Sequence, residues 1–328
     1  MSAVAARPRI ALVGAGSMGS LHARVVSQSD RAELAAVVEP RPEVGTVLAE
    51  RFGTTWAADL DDVRDVDAVI VAAATEAHHD LAMRVIGAKL PLLVEKPVAD
   101  GLAASTEVVE ASAAAGVPLM CGLLERYNGA VMTALALAHE PVHVTGVRHS
   151  PYAPRIKTGV AWDLLVHDVD LAVQLLGGDP VDVHASLGLF HPASLPGAED
   201  VVETVMTYAS GAVATVSASR IGQRKVRSLT IAEVDRLIEV DLLRRDVTIY
   251  RHVSNAATTE DGLGYRQQTI IEIPELISSR EPLAVQLDRF VDLLAGEVDA
   301  DEERRSILPA HRVVDRVVAE RRAAALRT

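Results

Sequence analysis

The stretch "RIALVGAGSMGSLHARVVSQ" at 9–28 constrains the fold of this chain more than any other. A short aliphatic run ends in Gly14, Gly16 and Gly19, spaced G-x-G-x-x-G, and a helical pattern follows at once. In a strand–turn–helix unit the first glycine permits a tight turn, the second lets a ligand approach the backbone, and the third lets helix and strand pack closely. Ser17, Met18 and Gly19 then open a helix whose free N–H groups and dipole favour an anion such as a pyrophosphate. Glu39 ends the next aliphatic run, about where an acid accepts hydrogen bonds from a ribose. The combination predicts a dinucleotide site. Glu39 favours NAD, because a 2′-phosphate would meet a carboxylate. Arg41 leaves NADP open, since it could turn to pair with that phosphate.

Between residues 9 and 121, aliphatic runs such as "ELAAVVE", "DAVIVAAA", "LPLLVEKP" and "VPLMCG" alternate with stretches of helical spacing. Continuous apolar strands alternating with helices predict a parallel sheet covered on both faces. After about residue 140 the rhythm changes. "VHVTGVRHS", "VDVHASLGLF", "VVETVMTYAS", "GAVATVSASRI", "RSLTIAEVDRLIEVDL" and "DVTIYRHV" read as strands, several alternating polar and apolar residues. "SGA" at 210–212 and "EVD" at 233–235 read as hairpin turns, and the chain turns helical again at 282–296 and about 305–327. The expectation is an α/β protein with a doubly wound first domain and a second domain built on a mostly antiparallel sheet. The boundary is expected near residue 125, giving domains of 1–125 and 126–328, with terminal helices able to pack back on the first.

With 49% hydrophobic but only 3% aromatic residues, the core must be built from Ala, Val and Leu. The net charge of −13 repels phosphate backbones and anionic lipid, so neither nucleic acid nor a membrane is an expected partner. A single cysteine, Cys121, excludes an intrachain disulfide and fits a reducing compartment. With no signal-peptide pattern at the start, the expected location is the cytoplasm. The scattered histidines, including adjacent His78 and His79, show no ligand spacing, so no metal is expected.

"GVAWDLLVHDVDLAVQLLG" at 159–177 reads as a core helix carrying Asp163, His167, Asp168 and Asp170. Charge inside an apolar segment is costly unless paired or used. At 100° per residue, Asp163 and His167 lie roughly 40° apart and Asp170 about 20° to the other side of Asp163, so the three share a face. Asp168 falls elsewhere, which assigns it a structural role such as a salt bridge. By itself His167 fits equally a core histidine bonded to Asp163 or a working base. Lys96 follows an aliphatic strand and precedes Pro97, at the carboxyl end where doubly wound sheets bind ligands. Arg126, Tyr127 and Asn128 follow the last strand of the first half, and Tyr152, Arg155, Lys157 and Trp162 precede the long helix. The arginines suit a carboxylate or phosphate and the aromatic rings a sugar face or base; packing and surface charge explain them equally.

"GAGSMG" at 14–19, "EKP" at 95–97, "RYN" at 126–128 and "DLLVHDVD" at 163–170, taken in order, resemble the Gfo/Idh/MocA family over nearly the whole chain. The resemblance implies a Rossmann domain followed by an α/β domain with a large open sheet. It also implies an active site between the domains, and a homodimer or homotetramer assembled through that sheet. It places the family's catalytic lysine at Lys96, beside Glu95, and its Asp-x-x-x-His pair at Asp163 and His167. Two family features near the cofactor differ or persist. A Thr-Pro turn reads Ala73-Ala74 here, and His78 keeps the place of the histidine that follows it. "RFNP" reads "RYNG" at 126–129.

The implied activity is hydride transfer between NAD(P) and a carbinol or ketone carbon of a sugar, with C3 of a nucleotide-linked amino sugar as the nearest branch. Either His167 or Lys96 could serve as the base. An inositol or free-sugar dehydrogenase, a fold relative that uses NAD only transiently, and a non-catalytic redox sensor are the alternatives. Net redox change of a substrate separates them.

Overall fold

The computed structural model describes residues 7–154, 156, 158–259 and 262–325, without the side chains of 255–266 and 321–325. The chain divides into two compact units, 1–124 with 280–311, and 125–279 with 312–328.

The first unit carries six strands: β1 (Arg9–Val13), β2 (Glu33–Val38), β3 (Thr55–Ala57), β4 (Ala68–Val71), β5 (Leu92–Glu95) and β6 (Leu119–Gly122). They form one parallel sheet in the order β3-β2-β1-β4-β5-β6. Helices α1 (Ser17–Gln28), α2 (Pro42–Phe52), α3 (Thr75–Gly87) and α4 (Leu102–Ala115) make the crossovers. Strands β4, β5 and β6 are buried along their whole length, as aliphatic runs covered on both faces must be. The chain reverses direction across the sheet between β1 and β4, and the crevice at the carboxyl ends of strands beside such a reversal is where these sheets hold ligands.

The second unit begins with helix α5 (Gly129–Leu137), strand β7 (His143–His149) and helix α6 (Val166–Leu176). Strands β8 (Asp182–Gly188), β9 (Val201–Thr207), β10 (Val213–Ser219), β11 (Val226–Ala232), β12 (Leu237–Asp241), β13 (Asp246–Thr259) and β14 (Gly262–Glu272) follow. The sheet order is β14-β13-β12-β11-β7-β10-β9-β8. Every pairing is antiparallel except β7 with β10. Burial alternates along β7, β9 and β10, so one face packs into the unit and the other stays accessible. The turns at Ser210–Gly211 and Glu233–Arg236 join hairpins, as their residues suggest. Helix α5 and strand β14 were not apparent in the sequence pattern. Helices α7 (Pro282–Leu294), α8 (Ala300–Arg305) and α9 (Leu308–Ala325) close the chain. Among the described residues no helix is long and apolar enough to cross a membrane.

The 159–177 segment is not one uniform helix. A wide π turn over Ala161–Leu165 precedes α6, with the Val166 N–H reaching back to the Ala161 carbonyl. Buried Glu199 fixes that turn: its Oε1 accepts the Ala161 N–H at 2.8 Å, and its backbone carbonyl accepts the Val160 N–H at 3.0 Å. Gly159 is where the turn passes closest, since a Cβ there would lie 2.2 Å from the Glu199 carboxylate.

Candidate active site

Within the first unit the loop between β1 and α1 is shaped by its glycines. Gly14 has φ +101°, a conformation that excludes most side chains, and a Cβ there would lie 2.6 Å from the Ala72 carbonyl. A Cβ on Gly19 would lie 1.9 Å from the Gly14 carbonyl. A Cβ on Gly16, by contrast, would meet no protein atom within 4 Å. Nothing in the chain needs that side chain absent; a ligand lying against the loop does. Gly16 is also the N-cap of α1 and offers no side-chain cap, so the first-turn N–H groups face outward for an anion. These residues fit the pyrophosphate of a dinucleotide.

Glu39 lies just past β2 and is buried. Its Oε2 accepts the Ala15 N–H at 3.0 Å and its Oε1 accepts Arg41 Nε–H at 2.7 Å. Trp56 Nε1–H donates to the Glu39 carbonyl at 2.9 Å, holding the backbone. The Arg41 hydrogen bond, helped by the Ala15 N–H against the opposing effect of burial, holds the Glu39 carboxyl below the usual carboxylate range. Glu39 is therefore an anion at neutral pH and Arg41 is engaged by it, which favours ribose hydroxyls over a 2′-phosphate. Replacing Glu39 by Ala is expected to weaken NADH about tenfold or more, the scale of a charged hydrogen bond, and to improve NADPH by freeing Arg41. Fluorescence titration of both cofactors measures this. Acid acts in the same direction: the group's contribution is present above its unfolded pKa and is lost as pH falls through the depressed folded value.

Lys96 follows β5, and the Lys96–Pro97 peptide is cis. Two buried histidines brace this turn. His22 on α1 donates through Nε2 to Glu95 Oε1 at 2.8 Å, and Glu95 Oε2 accepts the Lys96 N–H at 3.3 Å. Gly122 leaves space for Glu95, because a Cβ there would lie 2.8 Å from its carboxyl group. On the other side His78 Nδ1 lies 2.8 Å from the Pro97 carbonyl and Nε2 lies 3.1 Å from the Ala73 carbonyl. His78 and Glu95, expected as cofactor contacts, both have partners within the fold. Both polar edges of the His78 ring face backbone carbonyls, and the Glu95 carboxylate is turned inward to His22. Both hold the loops around Lys96. His22 was missed; its spacing from Gly19 gave no signal that it would point at Glu95.

In the second unit α6 is buried apart from His167 and its last residues, Gln174–Leu176. Trp162, Asp163, Leu164 and His167 are half-buried, whereas Asp168 and Asp170 are buried. Arg148 on β7 donates to Asp168 through Nε at 2.6 Å and Nη2 at 3.0 Å, and to Glu125 through Nη1 at 2.8 Å. Asp168 therefore has the salt bridge expected of it. Asp170, placed by helical phase beside Asp163 and His167, is instead held by Arg126, which donates through Nε at 2.7 Å and Nη2 at 2.5 Å. Arg220 Nη2 lies 3.9 Å from Asp163 Oδ2.

Four of the expected substrate contacts are engaged or buried within the fold. Asn128 caps α5: its Oδ1 accepts the Ala130 N–H at 3.2 Å and its Nδ2 donates to the Leu242 carbonyl at 3.1 Å. Its polar atoms serve the fold. Arg126 spends the bidentate edge of its guanidinium on Asp170, and Tyr127 is buried. Tyr152 stacks on His191 with centroids 3.6 Å apart and donates its hydroxyl to the Ala193 carbonyl, so one ring face is already covered. Arg155 and Lys157 lie outside the described residues.

Residues 8–123 match the GFO/IDH/MocA oxidoreductase family, described as having an NAD-binding Rossmann fold, and residues 134–232 match the C-terminal domain of the same family. The chain belongs to the GFO/IDH/MocA family. It is an oxidoreductase with an NAD-binding Rossmann domain, as the glycine loop and Glu39 require. Among GFO/IDH/MocA relatives, the UDP-N-acetylglucosamine 3-dehydrogenase of Acidithiobacillus ferrooxidans is 26% identical over 291 residues, 88% of this chain and 89% of that protein. Its solved structure superposes with a TM-score of 0.79, covering 95% of this chain and 99% of that one at 25% identity. The inositol 2-dehydrogenase of Rhizobium meliloti is 30% identical over 229 residues, 65% of this chain and 68% of that protein. The structure of GenD2 from gentamicin A biosynthesis, in complex with NAD, matches with a TM-score of 0.78 at 25% identity, covering 97% and 96%.

Proposed function

We propose that this oxidoreductase moves a hydride between NAD and a carbinol carbon of a sugar, C3 of a nucleotide-linked amino sugar, with Lys96, Asp163 and His167 as its catalytic set. The observation that carries the reading is the turn at Lys96. It sits at the carboxyl end of β5 in an NAD-binding sheet and is braced from both sides by buried side chains. Rigid placement of a cation at the ligand end of such a sheet is what a reaction at a carbinol requires. The choice of sugar follows the 3-dehydrogenase relative, which this chain matches over 89% of its length, against 68% for the inositol enzyme.

Oxidation of a secondary alcohol removes a hydride from carbon and a proton from oxygen. NAD supplies the hydride acceptor when bound. His167, as a neutral imidazole, takes the hydroxyl proton, and Asp163 orients the ring. Lys96 Nζ donates a hydrogen bond to the reacting oxygen and stabilises its developing negative charge. In the reductive direction the same groups return the proton. Lys96 as a neutral amine could exchange roles with His167, and the pH profiles of the two single variants distinguish these assignments. The test is NADH formation at 340 nm with UDP-N-acetylglucosamine, N-acetylglucosamine and myo-inositol. Turnover of the nucleotide sugar is expected; tight NADH binding without oxidation of any polyol would favour a redox sensor.

We also infer that copies of the chain associate through the accessible face of the second sheet. Thr145, Thr215, Thr230 and Thr248 give that face small side chains, and exposed Val205 adds apolar surface. A monomeric mass by light scattering would remove this inference.

A further inference from the structure

We infer that Arg227 is the counter-ion for an anionic group on the substrate, so that the sugar oxidised here carries a phosphate ester or a carboxylate. The inference rests on the sugar-dehydrogenase reading above and adds to it the residue that recognises the charge of the substrate.

Four arginines of the second unit surround the charged part of α6, and three are committed. Arg148 grips Asp168 with two donors and Glu125 with a third. Arg126 grips Asp170 with two donors. Arg220 donates to the Thr158 carbonyl and lies 3.9 Å from Asp163. Arg227, beside Arg148 in the β7–β11 ladder, differs from all three. Its one side-chain hydrogen bond runs from Nη1 to Glu125 Oε1 at 3.4 Å, and that oxygen already accepts Arg148 at 2.8 Å. Its side chain is 37% exposed, against 2%, 13% and 5% for Arg148, Arg126 and Arg220.

An arginine placed only to neutralise Glu125 would be expected to form a short, forked pair, as Arg148 and Arg126 do with their acids. Among the described residues Arg227 forms no such fork, and part of its side chain stays accessible. Burial, and then Arg148, lower its affinity for a proton more than Glu125, Asp168 and Asp163 raise it. An added anion relieves both costs. Through Glu125 and its ladder partner Arg148, Arg227 joins the ion cluster that ends on Asp168, the neighbour of His167 on α6. A guanidinium edge matches the paired oxygens of a phosphate or carboxylate, and a neutral cyclitol gains nothing from it.

The experiment uses the full chain saturated with NADH, so that the dinucleotide site is closed to competing phosphates. UDP-N-acetylglucosamine, glucuronate, N-acetylglucosamine and myo-inositol are titrated by calorimetry into the natural protein, Arg227→Gln and Arg227→Lys. At least one anionic sugar is expected to bind tenfold or more tightly than the neutral ones. Arg227→Gln should lose about tenfold or more of that preference, and Arg227→Lys should recover part of it. Loss confined to the nucleotide sugar identifies a phosphate as the anion; loss confined to glucuronate identifies a carboxylate. Neutral sugars binding as tightly as both anions, or Arg227→Gln weakening all sugars alike, overturns the role of Arg227 and leaves the sugar reading intact. Binding of no sugar, with NADH affinity normal, overturns both.

Discussion

Lys96→Met is expected to lower turnover by about two to four orders of magnitude, the range typical of a positioned acid–base group, while NADH affinity changes little. Met retains the length and apolar stem of the side chain, so only the ammonium group is lost. The backbone of the turn is held by Glu95, His22 and His78, and it should stay in place. The loss should therefore fall on kcat, with KM much less affected, because an interaction made with developing charge is strongest in the transition state. His167→Ala is expected to produce a loss of similar size and to remove one limb of the pH–rate profile. Steady-state rates with the substrate identified by the polyol screen measure both effects. Full activity in either variant would remove that residue from the mechanism.

Asp168→Ala is expected to destabilise the second unit by about 3–5 kcal/mol, because it strands a buried guanidinium. Arg148 is 2% exposed, and burial alone would make its charge unfavourable; Asp168 and Glu125 outweigh that and hold it firmly protonated. Replacing Arg148 by Met and Asp168 by Leu together should restore much of the loss, since an apolar pair of similar volume avoids the desolvation cost. Recovery stays incomplete because Glu125 loses its 2.8 Å bond from Arg148 and keeps the 3.4 Å contacts with Arg227 and Asn128. Urea denaturation of the three proteins gives the comparison. A fall of less than 1 kcal/mol for the single variant would contradict the pairing. Glu125 sets the pH dependence. Burial would raise its carboxyl, but Arg148 and Arg227 more than compensate and hold it below the usual range. Its stabilisation is present above the unfolded pKa and disappears as pH falls through the lower folded value.

The doubly wound half was legible because each strand is an aliphatic run with its own helix, and because Gly14, Gly16 and Gly19 have a spacing with a mechanical cause. The charged cluster of the second unit was half legible. Asp168 stood out as an acid on the apolar side of α6. Its partner could have been found as well: in "HVTGVRH" Arg148 has the same parity as Val144 and Gly146, which places it on the buried face of β7. Two opposite charges at buried parity in neighbouring elements predict each other. Ideal helical phase groups Asp170 with Asp163 and His167, but the π turn at 161–165 intervenes and Arg126 claims Asp170. Strand β14 escaped because its Gly- and Gln-rich first half lacks an apolar alternation, and it lies at the sheet edge, where little burial is demanded. The two histidines bracing Lys96 depend on where helices α1 and α3 meet the strand ends, which no local pattern encodes.

The parallel pairing of β7 with β10 bears on how the second unit reaches its folded state. His143 pairs with Val213, and Val226 pairs with His149, so the central strand takes both neighbours from about seventy residues or more downstream. Closing loops of that size carries an entropy cost before any ladder bond is gained, and chains dominated by such pairings fold slowly. The ion cluster is more local: Glu125, Arg148 and Asp168 fall within a much shorter stretch of chain. The charges of α6 and β7 can thus be matched before the sheet closes around them. An arginine that would be ruinous to bury alone has both of its counter-charges closer along the chain than either of its neighbouring strands.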